Sequence, residues 1–223
     1  MGLCPFDTEM RRRLWWQICV IDVRAAEDHG HDPSILEQSF DTEFPLSIND
    51  TDINPDSETL PTPREGVSEL TFSLIRYEIC ALTRALQYVP PGRSDNKTQG
   101  WTPRTTASLT LEQKESLIKE CADRLERKYL QYCTDAGPLY WVAATVARLI
   151  IAKMNLIIYY PLSRPSQPQT LPQDIKDRLF MTSIEIMEYS RALQFEGTTR
   201  KWGWLFHTLH TKRIVNPAPF HHC

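Results

Sequence analysis

Apolar residues recur along this chain at helical intervals in five separate stretches, divided by segments rich in proline, aspartate and serine. In the first stretch Leu14, Ile18, Ile21 and Ala25 form one stripe, which predicts a helix from about Thr8 to Asp28. Asp7 or Thr8 is placed to cap its start, and His29-Gly30 to end it. A second helix, about Val67 to Val89, rests on Phe72, Ile75, Ile79, Leu82 and Leu86 and stops at Pro90-Pro91-Gly92. Thr110 and Gln113 make a capping box for a third, reaching about Tyr132 with Ile118, Cys121, Leu125, Tyr129 and Tyr132 facing inward. The fourth, about Leu139 to Tyr160, is apolar nearly all round and is the expected centre of the core. A fifth, about Gln173 to Gln194, is anchored by Ile175, Leu179, Ile186 and Leu193, and a short aromatic helix is predicted near Lys201.

The segments between these helices carry the rest of the pattern. From His31 to Gly66 periodicity vanishes, yet a structureless stretch of that length is unusual inside a compact domain unless it packs on something. Phe40, Phe44, Leu46 and Ile48 alternate with polar residues, so they are the expected pins of an extended, acidic loop spanning 31–66. Residues 90–108 read as a linker, Pro161 to Pro172 as a second proline-rich loop, and 215–223 as a disordered tail in which Asn216-Pro217-Ala218-Pro219 cannot continue a helix. The fold class is therefore all-α, an irregular bundle of about five to six helices with long Pro/Asp-rich loops, filling residues 1–214 as one partial domain.

Composition narrows the function. With 41% hydrophobic and 24% charged residues, the 223-residue chain is globular in character. Its net charge of −3 argues against the whole chain acting as a polyanion-binding surface, and its local basic runs do not exceed three residues. The six cysteines at 4, 19, 80, 121, 133 and 223 include no Cys-x-x-Cys pair, so neither a local zinc cluster nor a disulfide framework is expected, and reduced thiols point to the cytoplasm or nucleus. Met1 to Asp7 lacks the pattern of a secretory signal. Arg148, Lys153 and Asn155 interrupt the longest apolar stretch, Leu139 to Leu162, which favours a buried helix over a membrane span.

Candidate chemistry is sparse. Arg11, Arg12 and Arg13 sit near the predicted start of the first helix, where the dipole disfavours cations, so they need partners. Asp41, Glu43, Asp50 and Asp52 are the candidates, and the expected result is an ion-pair network that fixes the loop on the helix. Asp50, Asp52, Asn54, Asp56 and Glu58 alternate like a calcium loop, but Pro55 and Pro61 stand where Gly and a bidentate Glu are required. His207, His210, His221, His222 and Cys223 match no zinc-ligand spacing and read as a polar terminus. Glu185 and Glu188 read as a solvated helix face rather than an acid–base pair. There is no Gly-x-Ser-x-Gly, Walker loop or Gly-x-Gly-x-x-Gly, so no catalytic, cofactor-binding or metal residue is assigned.

The run Glu9, Arg11-Arg12-Arg13-Leu14-Trp15-Trp16, Asp22, Pro45, Asn49-Asp50 and Asp52 resembles the regulatory (middle homology, xylanolytic-activator-type) domain of fungal zinc-cluster transcription factors. Arg76-Tyr77-Glu78-Ile79 and Trp202-Gly203-Trp204-Leu205-Phe206 support the resemblance, which covers about Phe6 to Phe206, while Phe44 and Ser47 depart mildly from the pattern. It implies a non-enzymatic, nuclear module acting on transcription, with DNA bound only through a separate zinc-cluster domain that this chain does not contain. It also implies an interior piece of a regulatory domain, with no cofactor of its own. The alternative is a standalone small enzyme or ligand-binding protein of a fungal biosynthetic pathway that reuses the scaffold. Protein partners or self-association are expected, because a helix apolar all round needs cover on every side; Trp15, Trp16, Trp141, Trp202 and Trp204 are the candidates for exposed apolar surface. No small-molecule effector can be named from these residues.

Overall fold

A computed structural model describes residues 3–35, 39–87, 109–159, 172–195 and 197. The whole 90–108 linker, residues 36–38 of the acidic loop, the 161–172 loop apart from Pro172, the predicted aromatic helix near Lys201, the C-terminal histidines, Cys223 and the tail lie outside them. Among the described residues there are five helices and no strand, as an all-α fold requires: α1 (Pro5–His29), α2 (Thr71–Gln87), α3 (Leu111–Leu125), α4 (Pro138–Tyr159) and α5 (Gln173–Phe195). α3 runs on through a π-helical stretch, Glu126–Leu130, into a last turn, Gln131–Cys133.

α1 starts earlier than periodicity indicates. Pro5 takes the first helical position, where its missing N–H is no loss, and the Cys4 sulfur accepts the Asp7 N–H at 3.4 Å. Arg11 to Arg13 consequently lie beyond the first turn, where the helix dipole has faded. The end is as expected: Gly30 adopts φ 72° and its N–H reaches the carbonyl of Ala26.

The buried face of α1 is the reverse of the predicted one. Leu14, Ile18, Ile21 and Ala25 all face outward, while Glu9, Trp16, Cys19, Val23 and Ala26 are buried. Both faces are apolar, so spacing alone cannot choose between them; the choice falls to the side with tertiary partners for Trp16 and Glu9. The tryptophans differ from expectation for the same reason: Trp16 is buried and Trp15 and Trp141 half-buried, with Trp202 and Trp204 outside the described residues.

α2, rather than α4, is the centre of the core. It packs against α1, α3 and α4, and Leu74, Ile75, Tyr77, Ile79, Cys80 and Leu82 are all buried. α4 is long and apolar enough to cross a membrane, but it packs against α2, α3 and most extensively α5, leaving Leu139 and Ile157 exposed. α1 leans mainly on α2 and α5 on α4, so these two helices end the array.

Thr110 and Gln113 form the predicted reciprocal cap on α3, and Ile118, Cys121, Leu125 and Tyr129 are buried as expected. Tyr132 is exposed instead, and Leu130 and Cys133 are buried. The π-helical stretch is the cause, since its wider turn delays the face and moves the inward position from 132 to 133. On α5 Ile186 and Leu193 are buried, whereas Ile175 and Leu179 are only partly covered.

Candidate functional site

The acidic segment between α1 and α2 is held by polar side chains of both helices. Arg12 pairs with Glu43, and Arg13 bridges Asp50 at 2.7 Å and Glu9 at 3.0 Å. Glu9 is 0% exposed, and its carboxylate also accepts the Leu46 N–H at 3.2 Å. A buried carboxylate of this kind is tolerable only with such partners. Glu43 and Asp50 thus act as predicted, whereas Asp41 and Asp52 do not meet the arginines. Arg11 is exposed on the rim of a cleft.

Asp52 belongs to a second clasp. Its carboxylate accepts the Asn49 N–H at 2.8 Å and the Arg64 guanidinium at 2.6 Å. The Asn49 side-chain oxygen accepts the Glu69 N–H at 3.0 Å, and Glu69 accepts the Asp50 N–H at 2.8 Å. The turn Asp50–Asp52 is thereby tied to the start of α2. Asn54 caps Asp56 within the loop, so the calcium-like alternation is spent on arginine pairing and turn formation. Among the described residues no group of three His, Cys, Asp or Glu side chains is arranged to hold a metal ion.

Aromatic packing completes the attachment. Trp16 stacks on Phe44 at 4.3 Å, meets Phe40 edge-on at 5.7 Å, and donates its indole N–H to the Glu43 carbonyl at 3.0 Å. Tyr77 of α2 closes the cluster and donates to the Arg13 carbonyl at 3.4 Å. Ile48 is fully buried, Phe40 and Phe44 are half-buried against the core, and Leu46 is only partly covered. Ile53 is a further buried pin that alternation did not single out.

Asp22 fixes the other end of the segment. It accepts the N–H groups of Ser34 and Ile35, each at 3.0 Å, and lies 3.8 Å from the Arg84 guanidinium, which also sits over the Phe40 ring at 5.2 Å. On the opposite side of α2 the buried Glu78 pairs with Arg124 at 2.8 Å and Lys128 at 3.6 Å. These buried polar groups were missed as a set; the signal for Glu9 and Glu78 was an acid at a position whose helical neighbours are core residues.

Burial raises the thiols of Cys121 and Cys133 to about 11, and burial with the Glu78 carboxylate raises the Tyr129 phenol, which leaves these groups protonated and unreactive near neutrality. The described histidines, His29 and His31, share hydrogen bonds with the carbonyls of Ala25 and Asp32. Glu185 and Glu188 are both exposed on α5, and Glu185 lines a cavity of about 150 Å³ beside the π-helical stretch. A cleft of about 570 Å³ opens between α1 and the loop, where Arg11, Arg12 and Trp15 face Asp41, Thr42 and Glu43. Its charges are of both signs, and the arrangement as a whole is one of attachment, joining a loop to two helices.

The Asp52–Arg64 clasp is expected to respond to acid. The Arg64 guanidinium and the Asn49 N–H hold the Asp52 carboxyl below its ordinary 3.8, at about 2. A carboxyl depressed on folding supports the fold above its unfolded value and ceases to do so as pH falls through the folded one. The loop should therefore loosen between about pH 4 and pH 2, seen as a change in Trp16 fluorescence. In Arg64→Ala this low-pH component should shrink, since only the Asn49 N–H is left to hold the carboxylate.

The family pattern of the fungal specific transcription factor domain matches residues 3–118, which spans α1, the clasped loop, α2 and the start of α3. The aurofusarin cluster transcription factor aurR2 of Gibberella zeae is 29% identical over 84% of this chain and 27% of its own length. The transcriptional regulator AacuB of Aspergillus aculeatus is 27% identical over 92% of this chain and 27% of its own length. A pyriculol/pyriculariol biosynthesis cluster transcription factor of Pyricularia oryzae is 40% identical over 79 residues, 35% of this chain. The chain thus spans about a quarter of the curated relatives it matches most fully. No solved structure matches it significantly. Since the family pattern covers more than half of the 223 residues and takes in both helices and the loop they hold, this chain belongs to the fungal specific transcription factor domain family.

Proposed function

We propose that this chain is part of the regulatory domain of a fungal zinc-cluster transcription regulator. It is a non-enzymatic module acting in the nucleus on an attached DNA-binding segment. The observation that carries this reading is the overlap between the family match and the attachment site: residues 3–118 contain Glu9, Arg12, Arg13, Trp16, Asp22, Asn49, Asp50 and Asp52, the groups that hold the loop. Two relatives are named for biosynthetic gene clusters, which makes the genes of such a cluster the proposed targets. Zinc and DNA recognition are assigned to a separate cysteine cluster of a longer protein. The residues described here do not fit the metal: Cys19, Cys80, Cys121 and Cys133 are dispersed through the core, each on its own helical turn.

The test has two parts. The purified chain should shift no DNA duplex at ~0.15 M salt, because its Lys and Arg are paired or scattered rather than clustered on phosphates. Tethered to a reporter promoter through an unrelated DNA-binding domain, the same chain should change transcription of the reporter. A sub-micromolar, sequence-dependent shift by the chain alone, or a reporter unmoved by the tethered chain, would count against the reading.

A further inference from the structure

Where the π-helical stretch meets α4 and α5, the helices do not close on one another. The cavity of about 150 Å³ left between them is walled on one side by Glu126 and Leu130, the first and last residues of the π stretch. Such stretches break the regular spacing of a helix and are frequent at functional sites. α4 contributes Arg148, Ile151, Ala152 and Asn155, whose spacing puts them on one face, and α5 contributes Glu185 and Tyr189, one turn apart. The buried part of the lining is apolar: Leu125 is fully buried, and Leu130 and Ala152 are nearly so. An apolar space of this size holds a ring of about six carbons.

The polar part of the lining is unevenly satisfied. Arg148 donates to both carboxylate oxygens of Glu126, at 2.8 and 3.2 Å, so these two charges answer one another. Among the described residues none hydrogen-bonds or ion-pairs with the side chains of Asn155, Glu185 or Tyr189. One carboxylate, one amide and one phenol are thus left over around a single space. We propose that this cavity binds a small primary amine in its ammonium form. An ammonium carries three donors and no acceptor, and the Glu185 carboxylate, the Asn155 side-chain carbonyl and the Tyr189 hydroxyl each offer it an acceptor. Glu185 matches its charge, and its apolar body covers Leu125, Leu130 and Ala152. An anion of the same size meets two carboxylates against one arginine that is already engaged, and a hydrocarbon leaves the polar groups without partners. Binding ties the end of α3 to α4 and α5, and it stabilises the folded chain by mass action. This inference concerns the cavity and does not rest on the transcriptional reading.

The test is a titration of the full chain with benzylamine, which is charged at neutral pH, followed by two-dimensional NMR and by the melting temperature. Amides of the residues around the cavity should shift and saturate with a Kd of about 1 mM or tighter, and the melting temperature should rise with benzylamine concentration. Benzoate and benzyl alcohol have the same ring without the cation. Each should bind at least about tenfold more weakly. Glu185 is exposed, so Glu185→Gln should keep its helix content and weaken benzylamine binding by about tenfold or more. Tyr189→Phe should weaken it by a smaller factor. Ala122 is a half-buried residue of the cavity wall, and Ala122→Leu should fill the space and abolish binding in a folded chain. If that variant does not fold, Glu185→Gln and Tyr189→Phe decide the matter between them. The inference is overturned if benzylamine shows no saturable binding, or if benzoate binds as tightly. Binding undiminished in Glu185→Gln, or retained by a folded Ala122→Leu, overturns it equally.

Discussion

Arg13→Glu should destabilise this domain by about 3–5 kcal/mol. The substitution sets a carboxylate against Glu9, which is fully buried 3.0 Å from the guanidinium it replaces, and against Asp50. Glu9 would then be a buried charge left with only the Leu46 N–H, and the loop would lose its central tie. In a chain of this size such a loss lowers the melting temperature by on the order of 10 °C. Arg11→Glu is the internal control. Its side chain stands exposed at the cleft, so its effect should stay within about 0.5 kcal/mol. Thermal unfolding followed by circular dichroism compares the two, and equal melting temperatures for Arg13→Glu and the unaltered chain would refute the tie.

Ile48→Ala should destabilise the whole domain by about 2–5 kcal/mol even though the residue lies in an irregular segment. Ile48 is 0% exposed, and its neighbours on either side are fixed: Ser47 accepts the Arg64 N–H at 2.8 Å, and Asn49 caps the next turn. Removing three carbons there opens a cavity between the loop and the helices that little can collapse to fill. If the segment were an appendage, the loss would appear as local opening with the global transition unmoved. Native-state hydrogen exchange on α2 distinguishes the outcomes, since amides near Leu74 and Ile75 should exchange faster in the variant only if loop and core unfold together.

Both predictions depend on a segment whose attachment periodicity announces only indirectly. Composition said that 31–66 was irregular and acidic, and the alternation of Phe40, Phe44 and Ile48 with polar residues said that it was pinned. The arginines were readable as partners because three cations beside an acidic loop need neutralising. Which acid meets which arginine was not readable: Asp50 and Asp52 are two residues apart, and only the turn between them decides that one faces Arg13 and the other Arg64. Glu9 was the larger omission. An acid in a helix ordinarily faces water, and its place in the core becomes evident only when the Leu46 N–H and the Arg13 guanidinium arrive from 37 and 4 residues away.

By itself the sequence determined the helical kind of the elements, the five main helices among the described residues, the capping box on α3, the Gly30 stop of α1 and the family. All of these are local, set by propensity, caps and spacing within one stretch of chain. The tertiary structure decided which of two apolar faces α1 buries. It decided too that α2 rather than α4 sits at the centre, and that a π-helical turn carries the inward position from Tyr132 to Cys133. Each of these depends on what stands opposite. A helix with apolar residues on two faces, as α1 has, is consistent with either burial, and the one adopted gives Trp16 its aromatic neighbours, Glu9 its arginine and Asp22 the two N–H groups it caps.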